Sequence, residues 1–190
     1  MGTKEFNALD KLIARMRLGK VISHIKKNDV LLDMGCGYQA YLLTQVQNTI
    51  KKGVGIDVDA ESRKIGKNIE IRRFHFKDRF PFTDKTFTKI TMLALIEHIE
   101  IASVTKLFRE LSRILKPGGK VVLTTPTPFG KVILEFLAFK MHIISAKEVG
   151  DHKKYYEKKD LENLAKNYGF KIESYKTFQM GGNSICVLKK

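Results

Sequence analysis

Cysteine is scarce in this chain, and its two copies, Cys36 and Cys186, are too few for a disulfide framework. A reducing compartment, the cytoplasm, is the expected location. Long apolar runs are missing too. The longest, 132-VILEFLAFKMHII-144, is interrupted by Glu135 and Lys140 and falls short of the roughly 20 residues needed to cross a bilayer. The opening stretch, MGTKEFNALDKLIARMRLGK, is charged throughout and lacks the apolar centre of a signal peptide. It matches the myristoylation pattern poorly, with Phe6 in the Ser/Thr place. Acids are outnumbered, 20 Asp+Glu against 35 Lys+Arg, for a net charge of +15. That balance favours encounters with anions such as nucleic acid, anionic lipid or phosphorylated metabolites. The basic pairs are spread along the chain, and no RNP-like aromatic motif or zinc-finger spacing accompanies them. Nucleic acid is therefore a weaker expectation than a solvated basic surface. No histidine pair has metal-ligand spacing, so no metal is expected, and no Gly-x-Ser-x-Gly elbow occurs.

What is present is an alternation of strands and helices in 190 residues, a length suited to one domain, here 1–190. Apolar spacing predicts a leading helix within 5–25, then a strand at Val30–Met34 and a helix from about Tyr41 to Ile50. A second strand is predicted at Val54–Val58, a helix at Glu61–Lys67, a third strand at Ile69–Phe76 and a fourth at Lys89–Leu95. Ser103–Leu115 carries one apolar helical face and stops at Pro117-Gly118-Gly119, before a fifth strand at Lys120–Thr125. A last helix is expected around Leu161–Tyr168, with Asp160 as its N-cap and Gly169 as its stop. Two strands then follow with only a glycine-rich turn between them, which requires an antiparallel hairpin. The fold class is α/β: a Rossmann-like, doubly wound sheet, parallel apart from that C-terminal hairpin.

The stretch 30-VLLDMGCGYQAYL-42 runs a buried-looking strand into two glycines. Gly35 and Gly37 allow a ligand close to the backbone, and the amides of the following helix can receive its polar groups. A second acid, Asp57, follows 22 residues after Gly35 at the end of the second strand, the spacing of an acid that grips ribose hydroxyls. A dinucleotide enzyme would place a third glycine after Gly37, where this chain has Tyr38-Gln39-Ala40. Asp33 would also set negative charge near a pyrophosphate, and suits a cationic ligand instead.

These residues resemble the class I S-adenosylmethionine (SAM)-dependent methyltransferases, in the small-molecule branch. The first stretch is similar to that family's Asp/Glu-x-Gly-x-Gly motif, and 55-GIDVD-59 to its second. The stretch 80-FPFTDKTF-87 resembles the segment before the fourth strand, with Thr88 in place of an acid, and 95-LIEHIE-100 resembles the segment after it. The most specific match is 109-RELSRILKPGGKVVLTTP-126. The resemblance covers about residues 10–190. It implies SAM as cofactor and transfer of its methyl group to a small-molecule acceptor. It assigns Asp33, Gly35, Cys36 and Gly37 to the amino-acid portion of SAM, Asp57 to the ribose and Val58 to the adenine. Asp78, in 74-FHFKDRFPF-82, is carried over more weakly to the adenine side.

In the resembled family the segment after the fifth strand, here about 127–156, forms a variable cap over the acceptor. Its apolar first part and the HKK at 152–154 suit an acceptor that is apolar or anionic. His98 and His152 fall in loops near the site and are the candidates for a catalytic base. The competing readings are structural: a helix-start residue for His98, a cap for Glu97, and a loop whose backbone does the work for Cys36. Two further functions stay open, an RNA or protein methyltransferase using the basic surface and a non-catalytic SAM-binding domain.

Overall fold

A computed structural model describes residues 8–130 and 152–190. Most of the expected 127–156 cap lies outside them. The chain opens with helix α1 (Ala8–Ile22) and strand β1 (Val30–Met34), followed by α2 (Tyr41–Val46) and β2 (Lys52–Asp57). Next come β3 (Arg63–Ile65), β4 (Ile69–Arg73) and β5 (Phe87–Leu93), then a 3-10 turn at Ile96–His98. Helix α3 (Ile101–Ile114) leads into β6 (Leu115–Pro126). Helix α4 (Lys158–Asn167) precedes the hairpin of β7 (Lys171–Phe178) and β8 (Asn183–Lys189).

The eight strands form one sheet in the order β3-β4-β2-β1-β5-β6-β8-β7. Strands β4, β2, β1, β5 and β6 run parallel. The C-terminal hairpin pairs antiparallel with β6, as its helix-free turn requires. The alternation of side chains along β1 divides the core. Leu32 and Met34 pack with α3 and α4 on one face, through Phe108, Leu111 and Leu161. Leu31 packs with α2 on the other, beside Leu43 and Val46. Burial of such leucine-sized groups contributes about 1.5–3 kcal/mol each.

Two expectations need correction. The segment 61–67 is not helical: Arg63–Ile65 is a short strand antiparallel to β4, so the parallel sheet carries an antiparallel strand at each end. Ile65 pairs with Ile69 across Gly66-Lys67-Asn68, and Gly66 takes φ +59°, the left-handed conformation that closes a tight turn. The charged run had suggested a helix, and that turn overrides it. Asp160 is not the N-cap of α4. Glu157 holds that place, and the Asp160 carboxylate accepts the Glu157 N–H at 2.9 Å from inside the first turn. Gly169, with φ +76°, follows the C-cap of α4 as expected.

The chain winds outward from β1 through β2 to β4, then returns to the other side of β1 through β5 to β6. The order reverses beside β1, and a crevice outside the carboxyl ends of β1, β2, β5 and β6 follows from that reversal.

Candidate active site

Asp33 lies on β1 between Gly55 of β2 and Thr91 of β5 and is 2% exposed. The Thr91 hydroxyl donates to its Oδ1 at 2.7 Å. Burial pushes the Asp33 carboxyl up to about 7; the Thr91 bond opposes that shift and the charge of Asp57 adds to it. The glycine loop follows directly. Gly35 (φ +69°) and Gly37 (φ +68°) both occupy the left-handed region, and the Gly35 and Cys36 amides turn back to the Ile56 carbonyl. A Cβ on Gly35 would stand 3.0 Å from Leu95, whereas Gly37 has open space around it. Gly37 is thus required by its dihedral, and its surroundings leave room for a ligand.

The carboxyl end of β2 faces this loop. Asp57 is 6% exposed and holds two amides, Gly37 N–H on Oδ2 at 2.9 Å and Asp59 N–H on Oδ1 at 2.8 Å. Each oxygen keeps a second lone pair for a hydroxyl. Val58, the next residue, is 38% exposed, an apolar side chain beside the acid. Cys36 is buried, and burial with the nearby charges of Asp33 and Asp57 raises its thiol above the ordinary range, which keeps it unreactive. Asp78 sits apart: it is exposed and ion-paired with Lys106 of α3 at 2.5 Å.

Some contributors gave no sequence signal. Arg63 of the β3 hairpin donates to the Tyr38 carbonyl in the glycine loop and stands 5.3 Å from the Tyr38 ring centroid. Thr91 is read from sequence only as a strand residue. Thr88, in place of the family's acid, donates to Asp29 at 2.8 Å and accepts Val30 N–H at 2.9 Å, so it ties β5 to the start of β1.

The second half of the site follows β5. Ala94 adopts φ +48°, with its amide bonded to Thr124 of β6, and the chain enters the Ile96–His98 turn. Glu97 is fully buried and caps no helix, which corrects that reading. Neither of its carboxylate oxygens nor the nearby Thr125 hydroxyl completes a hydrogen bond of good geometry, although that hydroxyl lies close enough to act on the charge. Burial pushes the Glu97 carboxyl up to about 7, with its own backbone, the charge of Arg17 and the Thr125 hydroxyl opposing. The Lys153 N–H donates to the Glu97 carbonyl at 2.7 Å and brings His152 alongside. The His98 and His152 rings stand 4.7 Å apart, centre to centre, at 65°. His152 Nδ1 shares a 2.7 Å hydrogen bond with the Tyr155 hydroxyl. Residues 54 apart in sequence are thus neighbours, and with Glu97 they form a group whose spacing suits a metal ion. The expectation of no metal-ligand arrangement rested on sequence spacing alone, which does not register this approach.

Comparison with known proteins settles the family. Residues 1–175 match the model of a family described as a methyltransferase domain. The chain belongs to that family. Its fold recurs in a SAM-dependent methyltransferase from Methanosarcina mazei, with TM-score 0.65, 19% identity and coverage of 90% of this chain and 96% of that one. A SAM-dependent methyltransferase from Mesorhizobium loti gives TM-score 0.67 at 15% identity, covering 87% and 93%. Curated relatives include a demethylmenaquinone methyltransferase from Symbiobacterium thermophilum, 27% identical over 124 residues, which are 58% of this chain and 48% of that protein. A ubiquinone/menaquinone biosynthesis C-methyltransferase from Desulfotalea psychrophila is 29% identical over 119 residues, 55% and 48% of the two chains. The match spans about half the length of these curated relatives. The family's cofactor is S-adenosylmethionine. Among the described residues, no helix is long and apolar enough to cross a membrane.

Proposed function

We propose that this domain binds SAM across the carboxyl ends of β1 and β2 and transfers its methyl group to a small-molecule acceptor at the Ile96–His98 turn. The observation that carries this reading is the arrangement of Asp33, the Gly35–Gly37 loop and Asp57. A buried carboxylate poised near neutrality stands beside two left-handed glycines, with a second acid joined to the loop by the Gly37 amide. In this reading Asp33 and the amides of Gly35, Cys36 and Gly37 orient the amino-acid end of SAM. Asp57 takes the ribose hydroxyls and Val58 lies on the adenine. Asp78, engaged with Lys106, is a peripheral contact on the adenine side.

Methyl transfer from a sulfonium is an in-line displacement with a good leaving group. The enzyme's main tasks are alignment and exclusion of water. A proton acceptor is needed where the nucleophile must lose a proton, and in this reading His98 or His152 takes that part. The relatives' names make demethylmenaquinone the first acceptor to assay, and the apolar run from Val132 to Ile144 supports an apolar substrate. Two free, buried cysteines fit the cytoplasm as the location. The competing reading, an RNA or protein methyltransferase, is supported by the net charge of +15.

The test is transfer of labelled methyl from SAM in the presence of reduced demethylmenaquinone, total RNA or protein extract. Label in the organic phase with the quinol, and none in the macromolecules, supports the reading. Label in RNA or protein alone overturns it.

A further inference from the structure

We propose that Glu97, His98 and His152 bind one divalent first-row metal ion at the acceptor end of the crevice. Each residue offers a donor atom, and the three atoms lie within 4.8 Å of one another. In a tetrahedral site with bonds of about 2.1 Å, donor atoms stand roughly 3.4 Å apart, so an ion closes the cluster by little more than about 1 Å. Among the described residues this is the one group of three such side chains that meets that spacing.

The independent observation is Glu97 itself. It is 0% exposed, and neither carboxylate oxygen has a hydrogen-bond partner. A carboxylate in that state is costly unless a cation or a proton meets it. The charge of Arg17 on α1 acts on it as well, without completing a bond to either oxygen of the carboxylate. A metal ion between the carboxylate and two imidazoles satisfies it.

The surroundings hold these donors in place. The Lys153 amide bonds to the Glu97 carbonyl, and Lys153 Nζ pairs with Glu100 at 3.4 Å, so the chain carrying His152 is fastened to the turn carrying His98. The Tyr155 hydroxyl on His152 Nδ1 orients the ring, an outer partner of the kind that metal-bound histidines use. In the tautomer with Nδ1 protonated, Nε2 is the ring nitrogen that carries the lone pair an ion needs.

Two imidazoles and one carboxylate suit Zn²⁺, Fe²⁺, Mn²⁺ or Co²⁺ and leave open coordination positions. The catalytic consequence rests on the methyl-transfer reading. An acceptor oxygen taking an open position becomes more acidic, so its nucleophilic form is available at neutral pH. The ion then carries the activation otherwise assigned to a free histidine base.

Chelator-treated protein titrated with Zn²⁺ and with Co²⁺ in a calorimeter tests the site. The expected result is one ion per chain with a micromolar Kd, accompanied by visible ligand-field bands for Co²⁺. Affinity should fall at least ~100-fold in Glu97→Gln and in His152→Ala, and roughly 10-fold in Tyr155→Phe. Sub-stoichiometric Mn²⁺ should broaden the ring signals of His98 and His152 before those of the other histidines, which decides the point even where a substituted chain misfolds. Absence of saturable binding, or broadening spread evenly over all five histidines, overturns the proposal. SAM titrated into the same samples separates the two claims: a protein that binds metal here but no SAM retains the site and loses the methyltransferase reading.

Discussion

Asp33 is the residue on which the proposed cofactor end of the crevice turns. Its carboxyl is buried and pushed up to about 7, well above the range of an exposed carboxylate. A carboxyl whose folded value is raised stabilises the fold below its unfolded value, near about 4, and that contribution is lost as pH rises through about 7. The ligand-free protein should therefore lose stability between about pH 4 and pH 7 more steeply than Asp33→Asn does, as urea unfolding across that range will show. SAM brings an ammonium and a sulfonium that favour the ionised carboxylate. Its affinity should rise several-fold from about pH 6 to about pH 7.5, and the rise should vanish in Asp33→Asn. An identical pH profile for the two proteins would remove Asp33 from the cofactor's surroundings. Asp57 acts differently, through hydrogen bonds. Asp57→Ala removes a carboxylate that holds two loop amides and is assigned the ribose hydroxyls. Charge-assisted bonds of this kind contribute about 1.5–3 kcal/mol each, so SAM affinity should fall at least ~10-fold. Calorimetry on a folded variant with unchanged affinity would move the ribose contact elsewhere.

At the scale of elements, the sequence was most legible where pattern and turn chemistry agree. Strand β1 falls where the apolar run Val30–Met34 predicts, and the C-terminal hairpin follows from two strands with only a glycine turn between them. The β3 hairpin was missed because a three-residue strand has too few positions to show alternation, and its Glu, Arg and Lys residues read equally well on a helix. The glycine loop was legible for a related reason: a left-handed turn favours glycine, and glycine is visible in sequence. Glu97, Thr91 and Arg63 were not, because their roles come from pairing and burial across the sheet. The segment 80-FPFTDKTF-87 shows how such contacts fasten a loop. Arg113 of α3 donates to the carbonyls of Phe80 and Phe82 and to Asp84, and pairs with Glu110, which itself accepts the Phe80 amide. Removing one partner of a largely buried pair leaves the other without compensation. Arg113→Met should cost about 3 kcal/mol of unfolding free energy. A loss below about 1 kcal/mol, the usual value of an exposed pair, would show that the network only decorates the loop.

For the whole molecule, the question is whether a net charge of +15 serves recognition or solvation. Several lysines and arginines are already paired with acids, among them Arg72 with Glu70, Lys106 with Asp78 and Lys120 with Glu173. The remainder are dispersed along the sequence. A dispersed basic surface attracts polyanions weakly and without register. Binding to a fluorescent RNA oligomer should therefore appear at low salt, fall steeply with the logarithm of salt concentration, and be negligible near about 0.15 M. Methyl transfer to a neutral acceptor, which releases no counterions, should change less than about 2-fold over the same range. SAM and its demethylated product should raise the melting temperature at both salt concentrations while NAD leaves it unmoved, because the loop that lacks a third glycine holds no pyrophosphate. RNA binding that persisted at 0.15 M and was strengthened by SAM would assign the charge to recognition and make a macromolecule the acceptor.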